Sequence, residues 1–213
     1  MITTPSRFQS AIFDHSRAIV EDGAPNLAVE AVAGSGKSST LIEICNRLPR
    51  GVRGTVVSFG ADVAEHMRKQ LPPGRGHQAL TAHALCRRAW LRRLGAGDIT
   101  VDKDKIRGML QTAVQAGRLD VRATPPGQVR ALVDAARGRG LVPEGTPGMT
   151  GLIADNEREW AGLIADLDIE ARDPNALIGA ARRALTVSIA QSGTTIDFMD
   201  MLYMPILTDG TTF

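Results

Sequence analysis

The apolar and polar positions of this chain fall into two regimes. Through about residue 95, short apolar runs alternate with segments whose apolar residues recur every three or four positions. Residues 27–32 (LAVEAV), 54–59 (GTVVSF) and the weaker 78–82 (QALTA) read as buried strands bounded by turn residues. Between and around them lie helical patterns. The first runs to about Asp22, with Phe8, Ile12, Ile19 and Val20 broadly on one side, and Thr4-Pro5 offers an N-cap and first helical residue. The second carries Leu41, Ile42, Ile44, Cys45 and Leu48 and stops at Pro49. A third covers 61–71 and ends at Pro72-Pro73-Gly74. A fourth starts at His83, turns Leu85, Ala89 and Leu94 inward, and shows Arg87, Arg88, Arg92 and Arg93 on its other flank. The order β-α-β-α-β-α predicts an α/β fold with a parallel sheet under covering helices.

Beyond about Ala96 the strand pattern disappears. Residues 102–117, 126–138, 155–168 and 174–191 all read as helices, the last opened by Asp173-Pro174. About a hundred residues outside the sheet make a helical insertion. The end, 195–205, mixes acidic and apolar residues in a short helix. The expected organisation is therefore 1–95, an α/β nucleotide-binding part; 96–193, a helical insertion; and 194–213, a return segment.

Composition refines this picture. Apolar content of 43% suits a globular core, and the 4% aromatic share leaves that core to aliphatic side chains and Met. Cys45 and Cys86 sit in apolar helical patterns and read as buried thiols of a reducing compartment. No metal-ligand spacing is visible, and no apolar run approaches the ~18 residues of a membrane span. The net charge of +2 hides an asymmetry: residues 1–94 hold 13 Lys/Arg against 7 Asp/Glu, while 95–213 hold 12 against 16. A basic amino-terminal half suggests a polyanionic partner, most simply DNA or RNA.

The chemistry concentrates in AVAGSGKSST, residues 31–40. A strand, a glycine loop and a helix together form a phosphate cradle. Glycines allow a tight turn, and loop N–H groups converge on an anion at the positive end of a new helix. Ala33, Gly34, Ser35, Gly36, Lys37, Ser38 and Ser39 are the candidate nucleotide contacts. Lys37 would cover the β- and γ-phosphates, and Ser38 would offer its hydroxyl to Mg²⁺. Ala31 stands where the general pattern has its first glycine.

Several stretches, in order, resemble the N-terminal part of superfamily 1 DNA helicases of the UvrD/Rep/PcrA type, and among them the small phage-encoded branch. FQSAIFDH resembles the adenine-reading Q motif. EAVAGSGKSST resembles the first helicase motif, with its Ala in place of the first Gly. VVSFGADVAEHMRKQLP and LTAHALCRRAW resemble motifs Ia and Ib, and IDFMDMLYMPI resembles the segment that leads back from the family's helical insert. The resemblance implies a P-loop NTPase (RecA-like) domain that binds ATP with Mg²⁺, translocates on single-stranded DNA, and unwinds partly duplex DNA with 3′ to 5′ polarity. It assigns Gln9 to the adenine, Lys37 and Ser38 to catalysis, Ser38 to the metal, and Ser58, Phe59, Gly60, Thr81 and His83 to DNA. Gly60 and Asp62 replace an amide and a basic residue of motif Ia, and Met199 replaces one of the paired acids near Asp200.

The family's Asp-Glu strand, later arginines and second motor domain lie beyond the matched part. The expectation is a chain that is inactive as a motor alone, works with a second polypeptide carrying the remaining motifs, and exposes an open sheet edge. It would act in the cytoplasm, that of a bacterial host if phage-encoded. The alternative is a stand-alone nucleotide- or DNA-binding remnant, or a regulatory module, without motor activity.

Overall fold

A computed structural model describes residues 4–213. The chain is mixed α/β and divides into two compact units, the first ending at Ala82 and the second spanning His83–Phe213.

The first unit contains α1 (Arg7–Glu21), α2 (Lys37–Arg47), β1 (Thr55–Ser58), α3 (Ala61–Gln70) and β2 (Gln78–Thr81). Helix α1 starts two residues later than Thr4-Pro5 suggested. Its N-cap is Ser6, whose hydroxyl accepts from the Gln9 N–H while the Gln9 side chain accepts from the Ser6 N–H. This reciprocal box satisfies two N–H groups that the helix itself leaves open. Strands β1 and β2 pair in parallel, with Thr55 opposite Gln78 and Ser58 opposite Thr81. Ile42, Cys45, Val56, Met67 and Ala79 form a small core between these strands and helices α2 and α3.

The expected strand at 27–32 does not form. Leu27, Val29 and Val32 are exposed, at 41%, 49% and 78%. The 27–32 run pairs with no described strand: β1 pairs only with β2, and β3 only with β4. A strand's N–H and C=O groups need a partner on at least one side, and hydrophobicity alone does not supply one.

The second unit holds α4 (Ala82–Leu94, all but its first residue), β3 (Thr100–Val101), α5 (Lys105–Gln115), α6 (Pro126–Gly138), α7 (Glu157–Asp166), α8 (Pro174–Gln191), β4 (Thr195–Ile196) and α9 (Phe198–Leu207). The division falls ahead of the expected boundary at 95/96. Helix α4 gives Trp90 to this unit's core, where the indole N–H donates to the Ser192 carbonyl at 3.0 Å. Leu94, expected to face inward, is 36% exposed. Trp160, Leu132, Leu177, Leu185 and Ile196 are fully buried in the same core. Sequence reading found the helices but not the short parallel β3–β4 pair, which lays Ile196 against Val101. Two-residue strands carry too little pattern to be recognised.

A buried ion cluster fastens α9 to the rest of this unit. Lys105 Nζ reaches Asp200 Oδ2 at 2.6 Å and the Ser188 carbonyl at 2.8 Å. Arg137 Nη1 donates to both Asp197 oxygens, at 2.9 and 2.8 Å, and to Asp200 Oδ1 at 2.9 Å; Nη2 donates to Asp134. Asp197 caps α9, and Asp200 returns the capping bond. The side chains of Lys105, Arg137 and Asp200 are 2%, 1% and 1% exposed, so removing one partner strands a charge without water. Burial alone would lower the Arg137 pKa, but Asp197, Asp200 and the hydrogen bonds outweigh it and raise it. Tyr203, pushed up chiefly by burial, donates to the Leu141 carbonyl at 2.7 Å.

Among the described residues, no helix is long and apolar enough to cross a membrane. The ion cluster sets a stability test. Asp200→Ala leaves Lys105 and Arg137 under-compensated and is expected to cost about 3–5 kcal/mol. Urea unfolding followed by tryptophan fluorescence measures it; a cost within the experimental error would show the cluster to be idle.

Candidate nucleotide and nucleic-acid site

The glycine loop is built by two backbone conformations. Gly34 and Gly36 both lie in the left-handed region, at φ 76° and 81°. Ser35 N–H closes a turn onto the Val32 carbonyl at 3.3 Å, and Gly36 is the N-cap of α2 without a side-chain cap. Within α2 the first backbone bond to the cap is Thr40 N–H to the Gly36 carbonyl at 2.9 Å. The N–H groups of Lys37, Ser38 and Ser39 therefore precede the helical ladder, and these three residues are exposed. Such an uncapped start, fronted by a glycine turn, is suited to an anion. Lys37 folds over the loop, its ammonium donating to the carbonyls of Ala31 and Val32 at 2.9 and 2.7 Å. Ala33 and Ser35 are exposed in the turn.

Gln9 reaches this loop from 31 positions away. Its Nε2 donates to Thr40 Oγ1 at 3.2 Å, and Thr40 Oγ1 donates to the Gly36 carbonyl at 3.0 Å. A Cβ built on Gly36 would lie 3.9 Å from the same Nε2. Further along the two helices, the Arg47 guanidinium lies 4.4 Å from the centre of the Phe13 ring. Helices α1 and α2 thus run side by side in the same direction, and the amide sits at the loop end. Both halves of that amide are engaged, Oε1 by Ser6 and Nε2 by Thr40. Sequence reading picked out Gln9 but missed Ser6 and Thr40, which orient it. The Ser-x-x-Gln spacing was the available signal.

Ser38 is the single hydroxyl assigned to Mg²⁺. Among the described residues no group of three or more His, Cys, Asp or Glu side chains gathers to hold a metal ion. A metal here would lean on the phosphates and water for most of its ligands, as Mg²⁺ commonly does.

The residues assigned to DNA fall into two groups. Ser58 and Thr81 end the two parallel strands and lie opposite each other in register. Ser58 donates its hydroxyl to the Gly60 carbonyl at 2.9 Å, and Gly60 caps α3. This short loop holds Phe59 outward at 92% exposure, so Phe59 is not a core residue. Val57 and Val63 are also exposed, at 45% and 51%. His83 belongs to the second unit, where its ring meets the edge of Phe198 at 6.1 Å. The carboxyl ends of parallel strands are where α/β folds take ligands, so the Ser58–Gly60 loop and Thr81 stand in a suitable place.

No family model matches the chain, and no curated protein matches it.

Two substitutions test this geometry. Gly36→Ala makes only an ordinary contact with Gln9 Nε2 but must adopt a left-handed backbone, at about 1–2 kcal/mol; a smaller loss in thermal unfolding would mean the loop relaxes freely. Phe59→Ala is expected to leave stability within about 0.5 kcal/mol, because the ring is almost fully exposed. If the ring stacks on a base, the same variant weakens binding of single-stranded DNA by about 1–3 kcal/mol, read by fluorescence anisotropy.

Proposed function

We propose that this chain is the N-terminal part of an ATP-dependent DNA helicase motor of the UvrD/Rep/PcrA type, built on a RecA-like P-loop fold. Residues 33–39 hold the nucleotide phosphates. Lys37 places its charge over them, and Ser38 supplies a hydroxyl for Mg²⁺. Bound Mg-ATP supplies the phosphoryl group whose transfer drives such motors. The observation that carries the reading is the meeting of Gln9 with the start of α2. An amide carries two N–H donors and two oxygen lone pairs; Ser6 and Thr40 take one of each, which leaves one of each for the edge of adenine beside the glycine loop.

In this reading, the tip of the β1–β2 pair carries the single strand. Phe59 stacks on a base, and Ser58, Gly60 and Thr81 serve the phosphodiester backbone. The exposed 27–32 run is the strand that joins the sheet once a neighbour is present. A neighbouring strand would cover the three apolar side chains left facing solvent.

A titration with a fluorescent ATP analogue in the presence of Mg²⁺ tests the proposal. Lys37→Ala removes a charged hydrogen-bond donor, worth about 1.5–3 kcal/mol, so affinity is expected to fall by roughly 10- to 150-fold. Gln9→Ala is expected to narrow the preference for ATP over GTP. Wild-type protein that fails to bind the analogue, or a Lys37→Ala variant that binds it equally well, overturns the reading.

A further inference from the structure

We infer a second anion site in the first unit, at the end of α2 away from the glycine loop, shaped for the phosphodiester backbone of a nucleic-acid strand. Arg50, Gly51, Arg53, Gly74, Arg75 and Gly76 line an open cavity of about 850 Å³. Three of these six residues are arginines, and none is acidic. None of the three arginines enters an ion pair among the described residues.

The cavity is built rather than accidental. Arg75 donates through Nη1 to the Asn46 carbonyl at 2.5 Å and through Nη2 to the Leu48 carbonyl. It thereby caps the carboxyl end of α2 and offsets the negative end of that helix, which would otherwise oppose an anion. Gly76 adopts φ 72°, and a Cβ there would lie 3.1 Å from Arg53 Cδ and 3.3 Å from Cγ. The bare glycine lets the Arg53 stem lie across it. Behind this wall, Gly54 N–H donates to His77 Nδ1 at 2.8 Å and its carbonyl accepts from Gln78 N–H at 3.0 Å, pinning the starts of both strands. Arg50 and Arg53 remain exposed.

The site is separate from the glycine loop. Helix α2 has 11 residues, so its two ends lie about 16 Å apart. The cavity also opens at the amino ends of β1 and β2, away from the Ser58–Thr81 end. Its volume far exceeds one phosphate group, and its arginines come from two loops, which suits successive phosphates of one chain. No aromatic ring lines it, so recognition is electrostatic and independent of base sequence. The choice of nucleic acid among polyanions rests on the function proposed above; the anion site itself does not.

The test is the salt dependence of DNA binding by the full chain. Anisotropy of a fluorescein-labelled oligothymidylate is titrated at several salt concentrations for wild type, Arg50→Ala/Arg53→Ala and Arg50→Lys/Arg53→Lys. If the two arginines each hold one phosphate, the alanine pair makes the slope of log K against log salt shallower by about 1.4 and lowers low-salt affinity roughly tenfold. The lysine pair, which keeps both charges, is expected to keep the wild-type slope. An oligoadenylate should give the same change. Phe59→Ala provides the contrast, since loss of stacking lowers affinity without altering the slope. An unchanged slope in the alanine pair overturns the inference, as does an alanine pair that no longer unfolds cooperatively at the wild-type temperature. Calorimetry with inorganic phosphate separates the sources: saturable binding of phosphate that the alanine pair abolishes, with DNA binding untouched, assigns the cavity to a small anion and also overturns it. Binding of the ATP analogue is measured in parallel. If it fails while the slope change holds, the proposed function falls and the second site stands; the reverse result removes only the second site.

Discussion

The amide of Gln9 is the contact on which the candidate site depends. It joins the first turn of one helix to the first turn of another across 31 positions of sequence. Ser6 fixes its carbonyl end, and Thr40 receives its amino end and passes the bond to Gly36. The glycine loop between residues 33 and 36 is a short piece of chain with few contacts of its own. Its shape is held by what flanks it: the left-handed backbone at Gly34 and Gly36, the Lys37 ammonium on the carbonyls of Ala31 and Val32, and the Gln9–Thr40 bridge. An anion site made of backbone N–H groups works only when those groups converge before the ligand arrives. Here the shape of the loop is set by local backbone and one tertiary hydrogen bond.

The two units are stabilised in different ways. The first has a small core cluster around Met67 and leaves Leu27, Val29, Val32, Val57 and Phe59 in solvent. The second has an extensive aliphatic core around Trp160 and a buried ion cluster that ties α9 to α5, α6 and α8. Buried ion pairs rarely add much net stability over apolar packing, but they penalise misplacement strongly. Lys105, Arg137, Asp197 and Asp200 therefore act mainly to fix where α9 docks. The IDFMDMLY stretch, which from sequence pointed toward a helicase return segment, owes its two aspartates to this docking: one caps the helix, and the other neutralises Lys105 and Arg137.

Charge is arranged differently in the two units. In the second unit, Lys105 and Arg137 sit in the ion cluster, and Arg182 and Arg139 pair with Asp155 and Asp166. In the first unit, Arg50, Arg53 and Arg75 stand together without a carboxylate among the cavity's lining residues. The glycines around them have the same physical role as those of the phosphate loop, since positive φ at Gly51, Gly74 and Gly76 lets short loops turn tightly beside the strand starts. Two ends of one helix, α2, thus carry two candidate anion sites of different design. One uses backbone N–H groups and a lysine, and the other uses guanidinium groups.

Local pattern in the sequence settled most helices. Apolar spacing and the Pro and Gly punctuation placed α5, α6, α7 and α8 close to where they lie, because each signal acts within a few residues. The glycine turn before Lys37 was legible for the same reason. The strand at 27–32 was misjudged because a strand is stabilised by its neighbours, and no local signal tells whether a neighbour exists. Phe59 could have been core or surface on sequence grounds; the Ser58–Gly60 turn alone decided that it faces water. Tertiary structure also decided the pairing of Gln9 with Thr40, the docking of Asp200 between Lys105 and Arg137, and the gathering of three arginines from two loops. Each of these joins positions far apart in the chain, where only packing brings the charges and amides within reach.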